Sequence, residues 1–308
     1  MTPSLTPRFN SIAMHGMSYG GPQAYLSGRY NSYFLILDRL TDNLEDRCWT
    51  WRNDYKAYTA KSKRPWARQK FAQKLETLWK ARLQAALDVS SALAYMHQRR
   101  IINRDVKSCN AGFTVRGELK LFDFGLSRML PSEDQRVEGG FPMSRVGTHY
   151  YMAPEIRDSK PYDLSADVFS FGVVLWEVLS LSTPRDTLKK MNLGGGDSSQ
   201  LPTCPCWPAD VSQLLERSLS EDASLRPTSA DALETLSTHL QRRGHTPPKP
   251  HDSSFRIHMS QVTEILSRAD DWSSVATPLS ARKIVLPTKD EVDRRKEESL
   301  LIRRVLDE

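Results

Sequence analysis

Asp105, Lys107, Asn110 and Asp123 are the residues of this sequence whose types and spacing suit catalysis. They fall within residues 101–128, IINRDVKSCNAGFTVRGELKLFDFGLSR, with NRDVKSCN and DFG on either side of a short strand pattern. AGFTV and ELKLF read as two strands of a hairpin joined at Arg116-Gly117. A hairpin brings its ends together, so Asn110 and Asp123 are expected side by side, with Asp105 and Lys107 close by. That gives two oxygen ligands for a hard cation, one further carboxylate and one mobile positive charge. Mg²⁺ suits such a pair, because it accepts few protein ligands and takes the rest from water and phosphate. Phosphoryl transfer needs the same parts: a metal to bridge phosphate oxygens, a carboxylate to orient the attacking hydroxyl, and a cation over the transferring group.

The elements that position these residues are mostly helical. SIAMHGM (11–17) reads as a strand, YGGPQAYLSG (19–28) as a loop, and SYFLILDRL (32–40) as a buried strand. A long polar, basic stretch follows over 41–74. LWKARLQAALDVSSALAYMH (78–97) sets Leu78, Leu83, Ala86, Leu87, Ser90, Ala94 and Met96 or His97 along one face, the pattern of an amphipathic helix. SADVFSFGVVLWEVLSL is apolar nearly all round and predicts a helix inside a core. NLGGGDSSQLPTCPCWP reads as a loop, and DVSQLLERSL and SADALETLSTHLQRR as surface helices. Beyond residue 242 a TPPKPHDSS linker opens a polar, largely disordered tail over 243–308, with no packed second domain and no internal repeat.

The chain has 308 residues and a net charge of +6, unevenly spread. Residues 52–82 hold ten Lys or Arg against Asp54 and Glu76. This basic insertion reads first as a solvated helical segment, and also as a surface for an acidic partner or an anionic membrane. Its Trp51, Trp66, Phe71 and Trp79 could stack bases, but packing against the domain is the preferred reading, which disfavours nucleic acid. No apolar run approaches the roughly 18 residues of a membrane span, and the N-terminus lacks a secretory pattern, so an intracellular, cytoplasmic protein is expected. Cys48, Cys109, Cys204 and Cys206 make no metal-site spacing and are expected as reduced thiols.

Five motifs in order carry a resemblance to the eukaryotic protein kinases. NRDVKSCN resembles their catalytic loop and Asp123-Phe124-Gly125 their DFG motif. GTHYYMAPE (147–155) resembles the end of the activation segment, and DVFSFGVVLWE, beginning at Asp167, the buried helix of the large lobe. WPADVSQLLERSLSEDASLRP resembles the later helices and places Arg226 to pair with Glu155. The implied fold is α+β and kinase-like over 9–242: a mainly helical C-terminal lobe with a remnant of the β-rich N-terminal lobe. The implied activity is a protein serine/threonine kinase using ATP and Mg²⁺ on a protein Ser or Thr hydroxyl. By this resemblance Asp105 orients the hydroxyl and accepts its proton, Lys107 neutralises the γ-phosphate, and Asn110 and Asp123 hold Mg²⁺. Thr148 supports Asp105 and Lys107, the serine/threonine pattern. Leu37 corresponds to the gatekeeper, the backbone of Asp38 and Leu40 to the adenine contacts, and Asp42 to a ribose contact. Arg104 corresponds to an arginine that docks a phosphate on the activation segment, with Ser144 as the acceptor. Within the family, the Trp-Pro start of the later helices and the GTxxYMAPE ending look most like the tyrosine-kinase-like group of serine/threonine kinases.

The sequence departs from the family in three places. Asn103 replaces the usual His under the DFG Phe, which implies a weakened contact and not lost chemistry. Gly112 stands where a leucine usually floors the adenine site, with Phe113 as a compensating residue. The Gly-rich loop, strand lysine and helix glutamate that precede 11–17 in the family have no counterpart here. The expectation is an incomplete kinase domain, with a hundredfold or greater loss of rate if the phosphates lack their clamp. The alternative is a catalytically impaired fragment or pseudokinase scaffold that binds protein partners.

Overall fold

The computed structural model describes Ile12 and residues 14–17, 35–191 and 198–242. The 19–28 loop, the 243–308 tail and the start of the 9–242 domain lie outside the described residues. Strands β1 (Met14–Met17) and β2 (Leu35–Leu37) pair antiparallel, and β3 (Leu40–Asn43) follows. Helix α1 (Leu44–Ser62) and helix α2 (Arg68–His97) come next, joined by a 3-10 turn over Pro65–Ala67. Strands β4 (Ile101–Ile102), β5 (Ala111–Thr114), β6 (Leu119–Leu121) and β7 (Arg128–Met129) frame the candidate residues. Helices α3 (Pro154–Arg157), α4 (Ser165–Ser180), α5 (Pro184–Lys190), α6 (Ala209–Ser218) and α7 (Ser229–Arg242) complete the order.

Helix α4 is the centre, with every residue from 166 to 179 buried. Its apolar composition on all sides allows this, because α2 and α6 both pack on it. Helix α7 closes against α2 and α6, and its buried Ala232, Leu236 and Leu240 give the stripe that an amphipathic surface helix needs. The Trp176 indole N–H donates to the Pro202 carbonyl at 2.8 Å, so the bulkiest core side chain keeps its polar atom satisfied. Strands β3, β5 and β6 form a three-stranded antiparallel sheet, and Ile12 N–H donates to the Leu121 carbonyl on its β6 edge at 2.7 Å.

The basic stretch is more ordered than its composition suggests. Asn43 caps α1 by accepting from Asp46 N–H at 2.9 Å, with Glu45 and Asp46 in the positive first turn. Helix α2 begins ten residues before the amphipathic pattern, at Arg68 and not Leu78. Those extra turns pack on α1, where the Tyr58 and Phe71 rings meet with centroids 6.0 Å apart. The insertion at 52–82 is therefore the outer end of a two-helix hairpin. The cysteines correct one expectation. Cys204 and Cys206 are bonded, with S–S 2.23 Å, because the turn at Pro205 holds their Cα atoms 5.2 Å apart, while Cys48 and Cys109 are free thiols.

Candidate active site

The loop between β4 and β5 is fixed from below by one side chain of α4. Asp167 is 1% exposed, and its carboxylate accepts from Asn103 N–H at 2.7 Å, Arg104 N–H at 2.8 Å and His97 Nε2 at 3.0 Å. A carboxylate only accepts, so Nε2 of His97 carries a proton, and Nδ1 shares a 2.9 Å hydrogen bond with the Ser229 hydroxyl. These bonds hold Arg104 in the left-handed region, φ 67, which a non-glycine residue adopts only when its surroundings impose it. Asn103 is 3% exposed, and its Oδ1 accepts from Asp105 N–H at 3.1 Å. It braces the loop through hydrogen bonds, in place of the ring packing expected at that position.

Asp105, Lys107, Asn110 and Thr148 converge on that loop. Lys107 Nζ donates to Asp105 Oδ2 at 2.7 Å and to Thr148 Oγ1 at 2.9 Å, and Thr148 Oγ1 donates to Asp105 Oδ1 at 2.6 Å. Asn110 Nδ2 donates to Asp105 Oδ2 at 3.0 Å and to the Asp105 carbonyl at 3.1 Å. Asp105 and Asn110 are 8% and 7% exposed, so these charge-assisted bonds are largely shielded from water. Thr148 reaches the loop because Gly147 precedes it. At φ +118 a Cβ on Gly147 would sit 2.6 Å from the Arg104 carbonyl oxygen, a contact no side chain survives.

The hairpin delivers the second carboxylate. Ala111 pairs with Leu121 across β5 and β6, and Phe122 N–H donates to the Asn110 carbonyl at 3.0 Å. Asp123 therefore begins one residue beyond the partner of Asn110. Asp123 is exposed, holds φ 62, and its Oδ1 accepts only a 3.3 Å bond from Gly125 N–H. Phe124 is half-buried and packs on the hydrophobic core. The Asn110 amide spends its N–H groups on Asp105, and its Oδ1 accepts a long 4.0 Å contact from the Cys109 thiol.

The nucleotide-side residues are less assembled. Leu37 ends β2 and is 42% exposed, and Asp38 lies between β2 and β3. Both Asp42 oxygens are taken by Arg47, at 2.6 and 2.7 Å, and this guanidinium holds the carboxyl below its usual range. Phe113 faces away from the Gly112 side. Neighbouring strand residues face opposite sides, and Phe113 packs edge-on to Trp51 under the Arg47 guanidinium. The Gly112 side is instead filled by Leu40, whose Cδ1 would lie 2.6 Å from an added Cβ, and by Phe122.

The activation-segment residues form their own anchors. Arg226 donates to both Glu155 oxygens, at 2.7 and 2.9 Å, and to the Ser220 carbonyl at 2.9 Å, with a side chain that is fully buried. Tyr151 donates to Glu177 Oε2 at 2.9 Å and shares a 3.1 Å bond with the Ser108 hydroxyl, while Ser170 Oγ donates to the Tyr151 carbonyl at 2.7 Å. Burial pushes the Glu177 carboxyl up to about 8, so at neutral pH it is mostly protonated. Arg104 Nε donates to the Leu126 carbonyl at 2.6 Å, and Tyr162 OH stands 3.5 Å from Arg104 Nη1 while donating to the Ser144 carbonyl at 2.7 Å. Tyr162, His97, Ser108 and Glu177 are the residues sequence reasoning missed. Only Ser108 and Glu177 carried a signal, as polar residues inside quoted motifs.

With this geometry in view, the relatives are informative. A profile of the protein kinase domain matches residues 66–236. The chain is 36% identical over 166 residues to the serine/threonine-protein kinase STY17 of Arabidopsis thaliana, covering 53% of this chain and 28% of that protein. It is 34% identical over 172 residues to STY46 of the same plant, covering 55% of this chain and 28% of that protein. The serine/threonine/tyrosine-protein kinase HT1 is 33% identical over 158 residues, covering 50% of this chain and 39% of that protein. The chain thus spans well under half the length of these relatives. The matched domain, its helical large lobe and these relatives together establish that the chain belongs to the eukaryotic protein kinase superfamily, on its serine/threonine side.

Proposed function

We propose that the chain transfers the γ-phosphoryl group of ATP to a protein serine or threonine hydroxyl. The observation that carries this reading is the closed cluster of Asp105, Lys107, Asn110 and Thr148, in which Lys107, Asn110 and Thr148 each donate to the Asp105 carboxylate. In this reading Asp105 positions the acceptor hydroxyl and takes its proton, and Lys107 offsets charge on the transferring group. Asn110 and Asp123 would hold Mg²⁺, which would supply positive charge against the nucleotide phosphates. Their donor set fits: one amide oxygen and one exposed carboxylate, few enough that phosphate and water complete the shell. Among the described residues no group of three or more His, Cys, Asp or Glu could hold a metal. The motif endings favour the tyrosine-kinase-like group.

Leu40 on the Gly112 side and the Arg47 lock on Asp42 favour a second reading, a kinase fold that binds nucleotide weakly and serves mainly as a scaffold. Two assays separate them. Calorimetry with Mg-ATP is expected to show binding that Asp123→Asn abolishes. Transfer of labelled phosphate to a generic protein acceptor is expected to fall about 10²- to 10⁴-fold in Asp105→Asn, the usual contribution of a general base. Absence of binding at millimolar ATP, or equal transfer by wild type and Asp105→Asn, would remove the enzyme reading.

A further inference from the structure

The apex of the α1–α2 hairpin carries a feature that phosphate transfer does not use. Residues 56–74 hold seven Lys or Arg and no Asp or Glu. All seven are exposed, and the first ion pair along α2 is Lys80 with Glu76 at 3.7 Å, beyond this segment. At the turn itself Ala67 is 2% exposed while Trp66 is 81% exposed. The turn is thus packed on one side and presents an indole on the other. The hairpin joins the hydrophobic core at Trp51 and Leu78, so its end projects about 15 Å beyond them at 1.5 Å per residue.

We propose that this apex docks the protein on the surface of an anionic lipid bilayer, with Trp66 entering the interfacial layer and the surrounding cations meeting the lipid head groups. Trp is suited to the boundary between head groups and acyl chains, where its ring is buried and its N–H stays wet. Clusters of four to eight Lys or Arg are the charge complement of an anionic leaflet. The other aromatic residues of the segment are already committed. Tyr58 packs on Phe71, with Lys74 over both rings at 5.1 and 5.6 Å. Trp51 is buried, and Trp79 lies half-buried under the Arg82 guanidinium at 5.0 Å. A single-stranded nucleic acid stacks successive bases on successive open rings; within 56–74 only Trp66 is an exposed ring, with Arg64 over it at 5.9 Å, and the exposed Tyr55 and Trp49 lie further down α1, away from the apex. An acidic peptide is best held by a groove, whereas these cations surround the exposed end of two helices. Among the described residues no single helix is long and apolar enough to cross a membrane, so the contact is peripheral.

The test is flotation of the full chain with vesicles of phosphatidylcholine alone, and with 30% phosphatidylserine added, at about 0.1 M salt. Three proteins are compared: the wild type, Trp66→Ala, and the combined Lys63→Gln, Arg64→Gln, Arg68→Gln, Lys70→Gln variant. All five positions are exposed, and circular dichroism checks that the variants stay folded. Binding is expected only to the serine-containing vesicles and is expected to weaken with salt. The charge variant should lose at least a hundredfold in partitioning, at roughly fivefold per cation, and Trp66→Ala should also bind more weakly. Failure to float with anionic vesicles would overturn the proposal. So would equal floating by all three proteins, or tighter capture of the apex by single-stranded DNA or an acidic peptide than by vesicles.

Discussion

Asp167→Asn isolates how far the candidate site depends on one buried carboxylate. The substitution keeps the shape of the side chain and exchanges one acceptor oxygen for a donor. Oδ2 serves two donors, Asn103 N–H and His97 Nε2, and Oδ1 serves Arg104 N–H at 2.8 Å. The least costly arrangement leaves the amide oxygen facing the first two and sets the new NH₂ against Arg104 N–H. That loses one charge-assisted bond, worth about 1.5–3 kcal/mol, and strands a buried N–H at about 1–3 kcal/mol. A net destabilisation of about 3–4 kcal/mol is expected, a large part of the 5–15 kcal/mol that holds a domain together. Urea unfolding followed by tryptophan fluorescence should show a midpoint lowered by more than 1 M, for a slope of about 1–3 kcal/mol/M. Arg104 sits at φ 67, a strain of about 1–2 kcal/mol for a residue with a Cβ. A variant within about 0.5 kcal/mol of wild type would refute the assignment of Asp167 as the strut of the loop.

Two further outcomes follow from the same geometry. Glu177 ionises near pH 8 in the fold and near 4.5 when unfolded, so between these values the folded chain binds more protons than the unfolded one. Stability should therefore fall as pH rises from about 4.5 to 8 and level off above, with a total change on the order of a few kcal/mol. Glu177→Gln should flatten that slope in thermal melts, and an unchanged slope would locate the titration elsewhere. Gly112→Leu should destabilise by about 1–3 kcal/mol, because the new side chain meets Leu40 at its first carbon, and Leu40→Ala should rescue it. Strictly additive effects in the double variant would mean the two positions do not compete for the same space.

The sequence made the chemistry legible and the supports much less so. Asp105, Lys107 and Asn110 lie within a few residues of one another, and the Arg116-Gly117 turn indicated how Asp123 returns to them. Helix α4 was equally plain, since an apolar surface on every side has few places to go except a core. The supports act across long separations that no local pattern encodes. Tyr162 bridges Arg104 and Ser144, and His97 links Asp167 to Ser229, through contacts between elements far apart in the chain. Phe113 packs against Trp51 and Arg47, a surrounding set by strand alternation and by a helix far from it in the chain. The amphipathic pattern begins only at Leu78 because residues 68–77 pack on α1, a partner that periodicity does not encode.

Asp167, Ser170 and Glu177 fall on one face of α4, since at 3.6 residues per turn they lie within an arc of roughly 80°. The first holds the Asn103–Arg104 turn, and the other two hold Tyr151 by its carbonyl and its hydroxyl. Both segments of the candidate site are therefore referenced to a single rod in the least accessible part of the molecule. Hydrogen exchange gives this arrangement a kinetic meaning. The amides of Asn103 and Arg104 lie in a loop, where rapid exchange is the norm, yet their acceptor is released only when α4 itself lets go. They should exchange with the slowest class of amides in the chain, so that the site dissolves together with the fold and not ahead of it.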